Sequence, residues 1–564
     1  MPRFHRSRSW RRCIARGLVG VLVVLPLAVP GATPEPSLDE GLAPLFSHWD
    51  RPGSPGAAVA VARGSQMLYA GGFGLASLEF RLPNSDRTAF NAGSIAKQFT
   101  ATAVLMLQAE GVLSLDDRIR QYVPELPGIA DRITLRQLLN HTSGLRDIWA
   151  LTDLAGWMPA DVRTQQQALR LLSRQRALNF EPGSSFGYSN SGYILLAEVV
   201  ARTSRQDFPD WMKEHVFAPL GMTESYFYQD HSRVLPNTAS SYHSLGRTKG
   251  FAKDVLNSGV VGGGNLVTTV ADLARWADYL ITAEIGGKPL LARLRQQPTL
   301  PGGLQTGYGM GLFGGAYRGL PVVHHGGASA GYRSHLLVFV EEPLSIIILG
   351  NVNTVRANRL AREVADLVLE EQFTVSRLDA FPEPVTPVLP PQAYTGLYAL
   401  GAKLLLDVRE SNGQLYFLFG GTSPREMRPS GPHTFDTPEE GVRLTFTVDE
   451  DRTVNKIMLQ VPGRELQGRR LEPMALTAAQ ARAYEGKYFS EDLETYYTII
   501  RADDGLIAQR LRGDDIVLKP IDADRFIESA GGDLTVRFSR KRSGRVNGFE
   551  ISVERARDIK FTRQ

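Results

Sequence analysis

Apolar positions along this 564-residue chain change their spacing twice. Up to about residue 373, short apolar runs such as Ala57–Ala62 and Ser345–Leu349 predict buried strands. Longer stretches, Ala96–Ala109 and Ala271–Ile281, predict helices between them. That mixture implies a helix-and-sheet domain over residues 33–380. Residues 381–392 then read FPEPVTPVLPPQ, with five prolines that forbid a continuing helix and favour a stiff extended connector. Beyond it the runs shorten and alternate, as in Lys403–Val408, Gln414–Phe419, Val442–Val448 and Thr495–Ile500, a pattern that predicts antiparallel sheet.

The alternating half repeats itself. Tyr394-Thr-Gly-Leu-Tyr398 recurs as Tyr484-Glu-Gly-Lys-Tyr488, and each copy ends in a basic-hydrophobic segment about 80 residues later. Two small antiparallel barrels, residues 393–474 and 475–564, are the expected outcome, each closing its own sheet edges.

The first residues belong to none of these units. Six arginines between Arg3 and Arg16 precede an apolar run from Leu18 to Val29 that ends in small residues at Gly31 and Ala32, the layout of a secretory signal peptide over residues 1–32. The run is too short, and too interrupted at Pro26, to leave a stable membrane span. Export to the periplasm or beyond is therefore the expectation. Taking six arginines from a formal charge of +4 leaves about −2, so no basic surface argues for a nucleic-acid partner. The one cysteine, Cys13, lies inside the leader. Disulfides, a cysteine nucleophile and cysteine-ligated metals are excluded from the mature chain.

Three short segments carry candidate chemistry. In Asn91-Ala-Gly-Ser94-Ile-Ala-Lys97, a helical run follows the serine, so the Lys97 amine lies one turn from the Ser94 hydroxyl at a helix N-terminus. Burial by Ile95, Ala96 and Phe99 is what such a lysine needs to lose its proton and act as a base. A glycine- and serine-rich loop then carries Tyr188-Ser-Asn190, a phenol able to shuttle protons and an amide able to hold a substrate carbonyl. The third segment, Val322-Val-His-His325-Gly-Gly327-Ala328-Ser329-Ala-Gly331, is expected on a strand whose glycines let a substrate backbone approach. There the N–H groups of Ala328 and Ser94 would form an oxyanion hole. The register is open by one residue, since His324-His-Gly fits as well. The same stretch contains Gly-x-Ser-x-Gly around Ser329, but a nucleophile elbow requires a following helix, and another strand-like run follows here. His141 has no second ligand at metal spacing, so it is read as structural.

In joint order, Ser94-x-x-Lys97, Tyr188-x-Asn190 and His325-x-Gly327 resemble the serine β-lactamase and penicillin-binding-protein family, particularly its class C, D-aminopeptidase and esterase branch. Leu138-Leu-Asn-His-Thr-Ser-Gly-Leu145, Tyr308-Gly-Met-Gly311 and Leu349-Gly-Asn351 look like further landmarks of that family. The resemblance implies a multidomain α+β chain: an antiparallel sheet flanked by helices, a helical subdomain across the cleft, and then the two barrels. It implies acylation of Ser94 followed by hydrolysis. Lys97 and Tyr188 would share the proton transfers, Asn190, His325 and Gly327 would line the substrate subsite, and Ala328 would complete the oxyanion hole. No cofactor or metal is called for, and the partner is a small-molecule or peptide substrate. The family's usual lysine in Lys-Thr-Gly is replaced by His325, a weaker cation at neutral pH. This turns the expectation from β-lactam or cell-wall carboxylates toward esters, amides and small D-amino-acid peptides. The D-aminopeptidase relatives also imply that a barrel loop can enter the cleft. A true β-lactamase or DD-peptidase, and a non-catalytic sensor or scaffold, are the competing readings.

Overall fold

The computed structural model describes residues 38–564 apart from 247, 256, 304, 377–384, 401–403, 420–424, 438–441, 462–463, 473 and 530–532. The leader and the start of the proline-rich connector lie outside the described residues. Six strands form the central sheet: β1 (Ala57–Arg63), β2 (Gln66–Phe73), β3 (Phe313–Tyr317), β4 (Leu320–Ser329), β5 (Tyr332–Phe339) and β6 (Leu344–Gly350). They are antiparallel throughout, in the order β3-β4-β5-β6-β1-β2. The helices that matter for the site are α1 (Leu38–Phe46), α2 (Ala96–Ala109), α3 (Ile148–Leu154), α4 (Asn190–Ser204), α5 (Val270–Thr282) and α6 (Ala357–Leu369).

The run Ala57–Ala62 is unbroken in hydrophobicity because both faces of β1 are covered. Alternate residues separate cleanly. Ala58, Ala60 and Ala62 join the core that contains α2 and α5, whereas Ala57, Val59 and Val61 join the core that contains α1 and α6. Helix α2 is buried on nearly every side, including Lys97, Gln98, Thr100 and Thr102, so it runs through the centre of the domain and shows only a weak amphipathic stripe. Among the described residues, no helix is long and apolar enough to cross a membrane.

One feature of the sheet prepares the cleft. Strand β3 pairs with β4 only over Leu320–His324, so among the described residues no strand lies beside the backbone edge of His325–Ser329 on that side. An extended substrate could add to such an edge.

Residues 396–470 and 486–563 form two closed eight-stranded antiparallel barrels. The repeated Tyr-x-Gly-x-Tyr segment is a clasp. In the first barrel, the Tyr398 hydroxyl donates to the Tyr394 carbonyl at 2.8 Å and Arg470 donates to the Thr395 carbonyl. In the second, Tyr488 donates to Tyr484 at 2.7 Å and Arg563 donates to Glu485. Gly396 and Gly486 lie at φ of 141° and 152°, where a Cβ would press on Arg470 or Arg563. The terminal arginine of each barrel therefore ties its last strand to the turn before its first.

The second barrel shares one continuous apolar core with the helix-and-sheet domain, and the first barrel has a core of its own. A buried ion pair marks the shared interface. Arg146, with a side chain 0% exposed, meets Asp492 at 2.8 Å and also donates to the carbonyls of Arg557 and Asp558.

Candidate active site

Ser94 sits in a short 3-10 turn, Gly93–Ile95, that leads directly into α2. Gly93 takes φ of 54°, and a Cβ there would fall 2.7 Å from the Ala328 backbone nitrogen. Only glycine lets the turn carrying Ser94 come this close to the open edge of β4. Gly327 is constrained in the same way, with the Ala92 carbonyl oxygen 2.0 Å from where its Cβ would stand. The Ser334 hydroxyl donates to that same carbonyl at 2.8 Å, strapping β5 to the turn. The turn that carries Ser94 and the Ala328 backbone are thus packed against each other.

Lys97 is fully buried, and Ile95, Ala96 and Phe99 beside it are buried too. Its Nζ lies 3.1 Å from Ser94 Oγ, 2.8 Å from Asn190 Oδ1 and 2.7 Å from the Gly263 carbonyl oxygen. The identity of the Asn190 oxygen is set by its other side, since Asn190 Nδ2 donates to Asp147 Oδ2 at 2.8 Å. Two of the three neighbours of Nζ are therefore pure acceptors. A neutral amine has two N–H bonds and one lone pair, so once the Asn190 and Gly263 oxygens take the hydrogens, the lone pair is left for the Ser94 O–H. Burial pulls the Lys97 pKa down from its ordinary value to about 7; Asp147 opposes this and Arg555 adds to it.

Tyr188 completes the group. Its ring lies 4.9 Å from Lys97 Nζ, and burial raises its pKa, against the lowering effects of the neighbouring Ser94 hydroxyl and Arg555. The phenol keeps its proton at neutral pH and is a donor. Asn190, expected on a loop, is instead the first residue of α4, because Ser189 is extended at the N-cap. Asp147 Oδ2 takes both the Asn190 backbone N–H at 2.6 Å and its side-chain amide, while Oδ1 caps α3 through Trp149 and Ala150.

His325 faces the cleft, and His324 lies across the sheet against His335 and Phe313. The open register therefore resolves to His325-Gly-Gly327. Burial, with help from Lys97, pulls the His325 pKa down to about 3. Its Nδ1 bonds the Gly326 carbonyl at 2.6 Å and its Nε2 lies 3.2 Å from the Tyr308 hydroxyl, which suits a neutral ring. No positive charge is available there at neutral pH. Ser329 ends β4 in a tight hairpin to β5, so the strand-turn-helix of a nucleophile elbow is absent.

Sequence reasoning missed Asp147 and Arg555, and gave Tyr308, quoted only within a landmark segment, and His141 no specific task. His141, at φ of 58°, accepts from the Ser189 N–H at 3.2 Å and packs its ring 4.2 Å from that of Tyr188. Arg555 comes from the far end of the chain, on the turn between strands Val546–Val553 and Ala556–Arg563, and places its guanidinium 5.3 Å from the Tyr188 ring. A cap residue before Ile148 was the one local sign of Asp147; nothing local marks Arg555. The surrounding cavity, about 1540 Å³, is lined by Ser94, Tyr188, Asn190, His325, Ala328 and Arg555 among others.

A family model described as Beta-lactamase matches residues 45–369. A D-aminopeptidase from Cereibacter sphaeroides is 26% identical over 525 residues, covering 90% of this chain and 96% of the relative. Penicillin-binding protein 4* of Bacillus subtilis is 26% identical over 432 residues, covering 71% of this chain and 92% of the relative. Among solved structures, the octameric penicillin-binding protein homologue from Pyrococcus abyssi shares the fold with a TM-score of 0.53 at 23% identity, covering 74% of this chain and 96% of that one.

Proposed function

This chain belongs to the β-lactamase family of serine hydrolases, and from that premise we propose that it is an exported enzyme hydrolysing ester or peptide-like amide substrates through an acyl-Ser94 intermediate. The observation that carries the proposal is the placement of Lys97: buried, pulled to about 7, and hydrogen-bonded to two pure acceptors and to Ser94 Oγ. Export rests on the leader-like segment, residues 1–32.

In this reading the neutral Lys97 amine takes the Ser94 proton as the oxygen attacks the substrate carbonyl. The developing oxyanion lies between the Ser94 and Ala328 N–H groups, donors fixed before the charge appears. As the tetrahedral intermediate collapses, Tyr188 gives its proton to the leaving group and is resupplied from protonated Lys97. Water then enters, loses a proton to the same relay, and releases the acid and Ser94. Tyr188 is the donor because burial keeps it protonated, and Lys97 is the base because burial frees it of its proton. The uncharged His325 removes the strand motif's usual grip on a substrate carboxylate.

Intact-mass measurement after exposure to a fluorophosphonate, p-nitrophenyl esters, D-alanyl amides and a cephalosporin tests the reading. An adduct on Ser94, lost in Ser94→Ala, is the expected result. Absence of any adduct on the wild-type protein would leave the domain as a sensor or scaffold.

A further inference from the structure

We infer that Arg555 is the anion-reading residue of this cleft, so that the preferred substrate carries a carboxylate near its scissile bond. The inference rests on the proposed hydrolase reading and narrows its substrate class.

The position of Arg555 is built, not incidental. Its carbonyl accepts from the Asp147 N–H at 2.8 Å and from Asn179 Nδ2 at 2.9 Å, and the next ladder residue, Arg557, donates its N–H to Asn179 Oδ1 at 2.8 Å. Buried Arg146 holds the carbonyls of Arg557 and Asp558 from the other side. The turn that bears Arg555 is thus fastened by its backbone to Asp147, which also orients Asn190 and hence the oxygen facing Lys97. The side chain takes no part in this fastening. It is 42% exposed, lines the cavity with Ser94, and holds its guanidinium 5.3 Å from the Tyr188 ring.

The charges around it leave the guanidinium available. It pairs with Glu554 at 3.8 Å, a carboxyl that burial pushes toward its neutral form; Asp533, also raised by burial and lowered by Arg555, accepts the Glu554 backbone N–H. Asp147, the other acid beside the site, already accepts four N–H groups. Two other cavity arginines are engaged. Arg333 donates to the carbonyls of Ala330 and Tyr332, and Arg163 donates to those of Met158 and Pro159. With His325 neutral, a planar fork at the cleft mouth is the feature suited to a carboxylate.

Two matched pairs test this: mono-p-nitrophenyl glutarate against p-nitrophenyl butyrate for the acyl side, and D-alanyl-D-alanine against D-alaninamide for the leaving side. The wild-type enzyme is expected to favour the anionic member of at least one pair by about tenfold or more in kcat/KM, mainly through KM. Arg555→Ala should erase that ratio, Arg555→Glu should reverse it, and Arg555→Lys should retain part of it. The ratio is the readout, because a loss of folding, or a change acting only through the proton affinity of Lys97, moves both members of a pair together. A ratio near one in both pairs, or a preference that survives Arg555→Glu, overturns the inference while leaving the hydrolase reading intact. No Ser94-dependent turnover of any of the four substrates, together with no fluorophosphonate adduct on Ser94, would instead remove the hydrolase reading and the inference with it.

Discussion

At Lys97 the decisive quantity is one proton. An amine with an ordinary pKa near 10.5 would be charged and useless as a base at neutral pH, but burial brings Lys97 to about 7, where half of it is neutral. The neutral form is the competent one, so kcat/KM is expected to rise as pH climbs through about 7. Asp147 holds the pKa up and Arg555 holds it down. Arg555→Ala should therefore move the rise to higher pH, and a pH–rate profile of the variant checks the sign. Tyr188→Phe separates the two proton steps. It should slow hydrolysis of a D-alanyl amide, whose leaving group needs a proton, by about 100-fold, and a p-nitrophenyl ester by less than about tenfold. Parallel losses on both substrates would contradict the division of roles. At this scale the sequence was readable where partners are local: Ser94 and Lys97 lie one helical turn apart, and the turn itself predicts their contact. Asp147 was opaque because its acceptor capacity is split between its own helix cap and a residue 43 positions away.

Between elements, the site depends on two backbones brought nearly into contact. Gly93→Ala would set a methyl 2.7 Å from the Ala328 nitrogen on a φ of 54°. A loss of about 100-fold or more in acylation rate is expected, from displaced oxyanion donors, with far-ultraviolet circular dichroism unchanged. Retained activity would mean that the turn and β4 can separate without harm. The strands and helices were readable from their runs, and Ala96–Ala109 matches α2 residue for residue. The loop expected at Asn190 was not a loop, because its capping partner comes from the distant Asp147 rather than from Ser189, whose hydroxyl makes no cap bond. No periodicity encodes a partnership of that kind.

For the molecule as a whole, the two barrels differ in how they are joined. The second shares its core with the catalytic half, and Arg146 and Asp492, 346 positions apart, are buried together at the seam. Arg146→Ala leaves Asp492 with only the exposed Arg176 at 4.0 Å and should destabilise this joint unit by about 3 kcal/mol. Calorimetry should show its transition moving down while that of the first barrel, with its separate core, stays in place. Equal shifts in both would disprove the independence. The barrels themselves were foretold by the Tyr-x-Gly-x-Tyr repeat, whose glycine, tyrosines and closing arginine have a shared mechanical task. Which barrel would dock, and with which residue at its tip, depended on surface fit between distant segments and left no local trace. The hairpin that reaches Tyr188 lies outside the sheet that carries the chemistry, about 460 positions along the chain from Ser94. Exchanging the Arg555 side chain therefore alters together what the enzyme accepts and the pH at which Lys97 works, while Ser94, Lys97 and Tyr188 stay as they are.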